Sequence, residues 1–147
     1  MTDLINDNSL NQWEHWYKLA TDFWNGAQFH LKQEADNAAL FCLLQSAECV
    51  LITLVRAVLN YDINNHNLSR LLAIIEMFTT DITAVFGLDY HLYRSLFGVL
   101  KHAYVNVRYK DGYKANHSDV VMLSGNGKAL LGAAKRVYER HKLTSVL

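Results

Sequence analysis

The sequence predicts an all-α domain, and three observations carry the prediction. The 147 residues include no proline and seven glycines, too few chain breakers for a turn-rich β fold. Hydrophobic residues make up 51% of the chain, which at this length suits one domain with a substantial buried core. Apolar residues also recur at three- and four-residue steps, the spacing that gathers them on one face of a helix. Five helical segments follow in a single domain from 10 to 147, behind a polar segment at 1–9, with no internal repeat or low-complexity linker.

The first segment spans about Leu10 to Lys32, with Ser9 as its candidate N-cap. Its stripe is aromatic: Trp13, Trp16, Tyr17, Ala20, Phe23, Trp24, Ala27 and Leu31. The polar, slightly acidic opening "MTDLINDNSLNQ" contains no legible secretory leader.

The second segment, about Asp36 to Leu59, is the most apolar. "ALFCLLQSAECVLITLVRAVL" is long enough to cross a bilayer, but Gln45 and Glu48 sit near its centre and Arg56 follows two turns later. A central charge costs roughly 2.5–3.5 kcal/mol in lipid, so the segment reads as the buried central helix of a bundle rather than a membrane span. Gln45 and Glu48 then share a face and require polar partners. Cys42 and Cys49 lie two turns apart on it, roughly 10 Å, too far for a disulfide. They read as reduced core thiols of a cytoplasmic protein.

The third segment, "NLSRLLAIIEMF", begins near Asn67 with Leu68, Leu71, Leu72 and Ile75 on one face. The fourth runs from about Asp89 to Arg108 and carries Tyr90, Tyr93, Leu96, Phe97 and Leu100 as its stripe. The fifth begins at a candidate cap, Ser118, and continues to about Lys142. Its "SGNGK" holds two glycines, each costing roughly 1 kcal/mol relative to alanine in a helix, and so predicts a break or kink.

A formal net charge of zero hides a split. Residues 1–100 carry five Lys/Arg against eleven Asp/Glu, a balance of −6; residues 101–147 carry nine against three, a balance of +6. The basic part can meet phosphate, or the acidic part of its own chain or of a second subunit.

Several chemistries find no support. The seven histidines are scattered with no helical i, i+4 pair, and the cysteines form no CxxC, so no metal site or cofactor is expected. No Gly-x-Ser-x-Gly or Cys-His arrangement suggests a nucleophile. "SGNGKALL" fails as a phosphate loop, because Met122 stands where the first glycine belongs and Ala129 follows Lys128.

The remaining constellation is "AYVNVRYKDGYKAN", where Tyr104, Tyr109 and Tyr113 flank Arg108 and Lys110 and Lys114 add positive charge. On a helix persisting to Arg108, Tyr104 and Arg108 share a face. An arginine among aromatic rings can hold a phosphate while the rings stack on a base. It can equally cap its own helix end and pack across Tyr104 with nothing bound.

The stretch "FCLLQSAECVLITLVRAVLNYDINNHNLSRLL" resembles the central signature of the HEPN domain family. The Gln-x-x-Glu step is Gln45 and Glu48, and the His-x-Leu-x-x-Leu helix is His66, Leu68 and Leu71. The family's A-Y-x-x-x-R-Y pattern matches Ala103, Tyr104, Arg108 and Tyr109. The resemblance covers roughly Phe23 to Lys142 and is greatest to HEPN domains attached to, or paired with, minimal nucleotidyltransferases. It implies an up-and-down bundle of four to five helices, usually dimeric.

Two activities come with it. Some HEPN proteins are metal-independent ribonucleases, often toxins, that use an arginine and a following histidine with four to six residues between them. Counting from Arg108, those positions are Tyr113, Lys114 and Ala115, and His117 lies too far along. An Arg-x-x-x-x-His does occur at Arg136 and His141, away from the family's location. HEPN domains without the catalytic pair are thought to bind a nucleotide or to partner a nucleotidyltransferase. The leading expectation is therefore a non-catalytic domain binding a nucleotide or RNA phosphate through Arg108, Tyr104, Tyr109 and Tyr113, with Lys110 and Lys114 beside them. The alternatives are a toxin-antitoxin RNase, with Arg136 and His141 as its weak catalytic candidates, and a helical interaction module docking through the aromatic stripe of the first segment.

Overall fold

A computed structural model describes residues 2–87 and 91–146, and side chains from Leu10 to Gly87 and from Arg94 to Thr144. The described residues form seven helices and no strand, an all-α bundle as the sequence predicts. Four rods make the bundle: α1 (Thr2–Lys32), α2 (Asp36–Leu59), the consecutive pair α5 (His91–Lys101) and α6 (Ala103–Tyr109), and α7 (His117–Val146). Two short helices, α3 (Leu68–Ile75) and α4 (Asp81–Phe86), fill the long crossover from α2 to α5.

The direction of each rod follows from its partners. The Ser46 hydroxyl donates to the Ala20 carbonyl, the Cys49 thiol to the Trp16 carbonyl, and Gly26 faces the Cys42 sulfur. As α1 climbs, α2 descends. Likewise Trp13, Tyr17 and Trp24 meet Tyr138, Leu131 and Ser124 in turn, so α1 is also antiparallel to α7. Helix α2 is the centre, packing against α1, α7, α3, α5 and α6. It is long and apolar enough to cross a membrane by length and composition, yet 61% of its most apolar stretch is buried inside the bundle.

Five local expectations are revised. Helix α1 already includes Ser9, which is therefore inside the helix and not its cap. Apolar periodicity starts at Leu10, but a helix nucleated by that packed stripe can propagate backward where no proline or glycine interrupts it. Ser118 is likewise inside α7; the Asn116 carboxamide oxygen accepts from the Asp119 amide at 3.1 Å and from the Ser118 hydroxyl at 2.6 Å, making Asn116 the cap. The predicted break at "SGNGK" is absent, and α7 is continuous through it. Gly127 explains why: a Cβ there would lie 3.1 Å from Trp24 Cδ1, so glycine lets α1 and α7 approach closely while the Trp24 indole donates to the Ser124 carbonyl at 2.9 Å.

The fourth predicted segment is instead two helices separated at His102; Asp89 and Tyr90 lie outside the described residues, as does the side chain of Tyr93. Its Leu96, Phe97 and Leu100 are buried as expected. Helix α4, six residues long, escaped a reading built on sustained periodicity. The third segment holds: Asn67 caps α3 by accepting from the Arg70 amide, and Leu68, Leu71, Leu72 and Ile75 are all buried.

The aromatic stripe of α1 turns inward. Trp13 is buried and stacks on Tyr138 with centroids 4.0 Å apart, whereas Trp16 is 38% exposed. Glu48, with only 13% of its side chain exposed, has its partner in His66 Nδ1 at 3.2 Å. Both cysteines are free and half-buried, and burial pushes both thiols up.

Candidate functional site: the Arg108 patch

The family of exposed cations and phenols sits where the α5–α6 rod ends near the start of α2. Helix α6 starts after His102 and stops at Lys110, whose extended backbone leads into a turn with Gly112 at φ +74°. That positive φ suits glycine. Asn37, in the first turn of α2, clasps the outgoing chain: its side-chain amide donates to the Tyr113 carbonyl, and its oxygen accepts from the Ala115 amide, both at 2.8 Å. The His117 Nδ1 to Asp36 Oδ1 contact, 2.7 Å, fixes the next residues to the same end of α2. Sequence reasoning passed over Asn37, since one asparagine just inside a helix signals nothing about a loop 76 residues away.

This anchoring sets out the patch. Arg108 is exposed, with Cζ 5.3 Å from the Tyr104 ring centroid and 5.7 Å from that of Tyr109. The two rings meet edge to face at 6.0 Å, and Tyr104 leans toward Phe41 of α2. Tyr104 and Tyr109 are 42% and 64% exposed, which makes this a patch open to solvent rather than an enclosed pocket. Among the described residues no carboxylate is paired with Arg108. Ring contact holds a guanidinium without consuming its in-plane N–H groups, so they remain available to an anion.

Tyr113 is placed differently from the other tyrosines. It is half-buried and packed against the core, the result of the Gly112 turn and the Asn37 clasp. Lys110 and Lys114 are exposed, the latter lining a shallow cleft with Asp36 and Asn37 at the start of α2. Arg136 and His141 lie on the continuous helix α7. Five residues along a straight helix turn the chain by about 140°, so the two point to different sides. His141 lines a groove with Val58, Phe78 and Arg140, while Arg136 is exposed beside Gly132.

Metal chemistry gains no candidate, since no group of three or more His, Cys, Asp or Glu side chains capable of holding an ion occurs among the described residues. Comparison with known proteins adds one finding: the family model for the HEPN domain matches residues 13–144. No curated protein matches the chain.

Proposed function

The chain belongs to the HEPN domain family, and from that premise we propose that it is a non-catalytic domain that binds a nucleotide or RNA phosphate at the Arg108 patch. The observation that carries this reading is a solvent-open guanidinium held against two phenol rings and free of any carboxylate partner among the described residues. Arg108 grips the phosphate, Tyr104 and Tyr109 offer stacking surface to a base, and Lys110 and Lys114 raise the local potential. Tyr113 shapes the loop beneath them. The domain acts as a cytoplasmic homodimer, alone or as partner of a nucleotidyltransferase.

The RNase alternative is disfavoured by the absence of a histidine separated from Arg108 by four to six residues and by the divergence of Arg136 and His141 around α7. Tyr113 stands at one of those positions, but a phenol with an ordinary pKa of about 10 is a poor base at neutral pH.

Calorimetric titration of the purified chain with ATP, GTP and a short single-stranded RNA at low salt tests the proposal. Binding is expected to weaken with added salt, and Arg108→Ala is expected to cost about tenfold or more, the usual worth of a hydrogen bond to a charged group. Undetectable binding of all three, or an Arg108→Ala variant that binds as well as the parent, overturns it.

A further inference from the structure

The cleft between the N-terminal half of α1 and the C-terminal end of α2 takes no part in the Arg108 patch. Phe41, which contacts Tyr104, and Arg56 are fifteen residues apart on α2, about 22 Å along its axis. We propose that this cleft is a binding site for a small planar aromatic carboxylate.

The cleft measures about 190 Å³, and its lining includes Trp13, Trp16, Arg56, Ala57, Asn60 and Asp62. A cavity of about 150 Å³ is known to accept benzene, so this volume fits one six-membered ring with a small substituent. The Trp16 indole and the Ala57 methyl give the cleft one apolar side for such a ring, while Gln12, Thr53, Asn60 and Asp62 make the rest of its lining polar. Trp16 lines the cleft while remaining 38% exposed, so its indole is accessible to a guest.

Arg56 determines the guest's charge. Its Nη2 donates to the Ile63 carbonyl at 3.4 Å. Its Nε is buried and has no hydrogen-bond partner, although Asp62 Oδ1 lies 3.2 Å away at ion-pair distance. Asp62 is thus close enough for Coulomb attraction but outside hydrogen-bonding geometry. A buried donor left unmatched is costly, and it calls for an acceptor. Asp62 marks what that acceptor is: a carboxylate already hovers at the position. Its side chain is 96% exposed and belongs to the irregular stretch between Asn60 and Asn67, so a guest carboxylate can replace it and release it fully to water. Asp62 remains tethered beside the cleft, so its charge opposes a guest carboxylate and removing that charge should favour binding.

Calorimetry on the full chain with benzoate, benzamide and inorganic phosphate tests this. Benzoate is expected to bind saturably, with benzamide and phosphate each about tenfold weaker or more, because one lacks the charge and the other the ring. Asp62→Asn is expected to tighten benzoate several-fold by removing the competitor, and its exposed position leaves folding intact. Arg56→Gln, with its far-UV circular dichroism unchanged, is expected to abolish benzoate binding. The proposal is overturned by a lack of saturable benzoate binding in parent and Asp62→Asn alike, by benzamide or phosphate binding as well as benzoate, or by Asp62→Asn binding benzoate more weakly than the parent. Because phosphate and benzoate can also meet the Arg108 patch, the titrations are run in the Arg108→Ala background; failure here then leaves the nucleotide reading standing, and failure there leaves this one.

Discussion

Gly125 and Gly127 sit two residues apart in one helix and have opposite roles. A Cβ at Gly127 meets the Trp24 indole at 3.1 Å with Leu43 behind it, whereas a Cβ at Gly125 meets nothing within 4 Å. Gly127→Ala is therefore expected to destabilise by about 1–3 kcal/mol, the usual cost of overpacking. Gly125→Ala should stabilise by up to about 1 kcal/mol through helix propensity alone. Urea unfolding of the two variants against the parent separates these signs. Sequence alone assigns both glycines the same cost, because propensity is local and the Trp24 contact spans about a hundred residues. The Arg108 patch was legible for the converse reason: Tyr104 and Arg108 are helical neighbours at i, i+4, so their meeting needs no tertiary information. Tyr113 was not, since its direction is set by a turn and by Asn37 on another helix.

Between elements, the connection from α1 to α2 is three residues long and holds a strained point. Glu34 has φ +56°, in a turn closed by the Ala35 amide donating to the His30 carbonyl at 2.9 Å. A left-handed conformation costs a side-chain-bearing residue about 1–2 kcal/mol, and glycine avoids most of that. Glu34→Gly is expected to raise stability by about 0.5–1 kcal/mol, read as a higher urea midpoint with unchanged slope. Asn60 makes the same left-handed turn after α2, where asparagine is better tolerated. The long amphipathic rods could be read from spacing because each buries a continuous stripe. The interruption at His102 and the six-residue α4 could not, since a short helix shows less than two turns of pattern and is held by its neighbours.

Over the whole molecule, the charge split of the sequence is partly spent internally. Asp36 is in contact with His117 and Asp81 is paired with Arg140, each joining the acidic part of the chain to the basic part. The Asp81–Arg140 pair is largely solvent-accessible and contributes little, whereas Asp36 is mostly covered where it meets the exposed His117. Glu48 is enclosed further still. Burial pushes its carboxyl up from the ordinary 4.5, against the opposing pull of His66. A raised carboxyl binds its proton more tightly in the folded state. Its contribution is therefore complete below the unfolded value and lost as pH rises through the folded one. Glu48→Gln, neutral at every pH, is expected to be at least as stable as the parent at about pH 7. It should also gain less than the parent on acidification toward about pH 5. Thermal unfolding across that range reads both effects; a variant clearly less stable at neutral pH would place the value of Glu48 in its pairing with His66 instead.

All three tryptophans of the chain ride on α1, with Trp13 and Trp24 pressed against α7 and Trp16 beside the end of α2. Indole emission consequently comes from a single rod, whereas the far-ultraviolet signal comes from all the described helices. The molecule thus carries its own optical label for one rod, and a detachment of α1 that left the other rods assembled would be visible as a colour shift unaccompanied by loss of ellipticity.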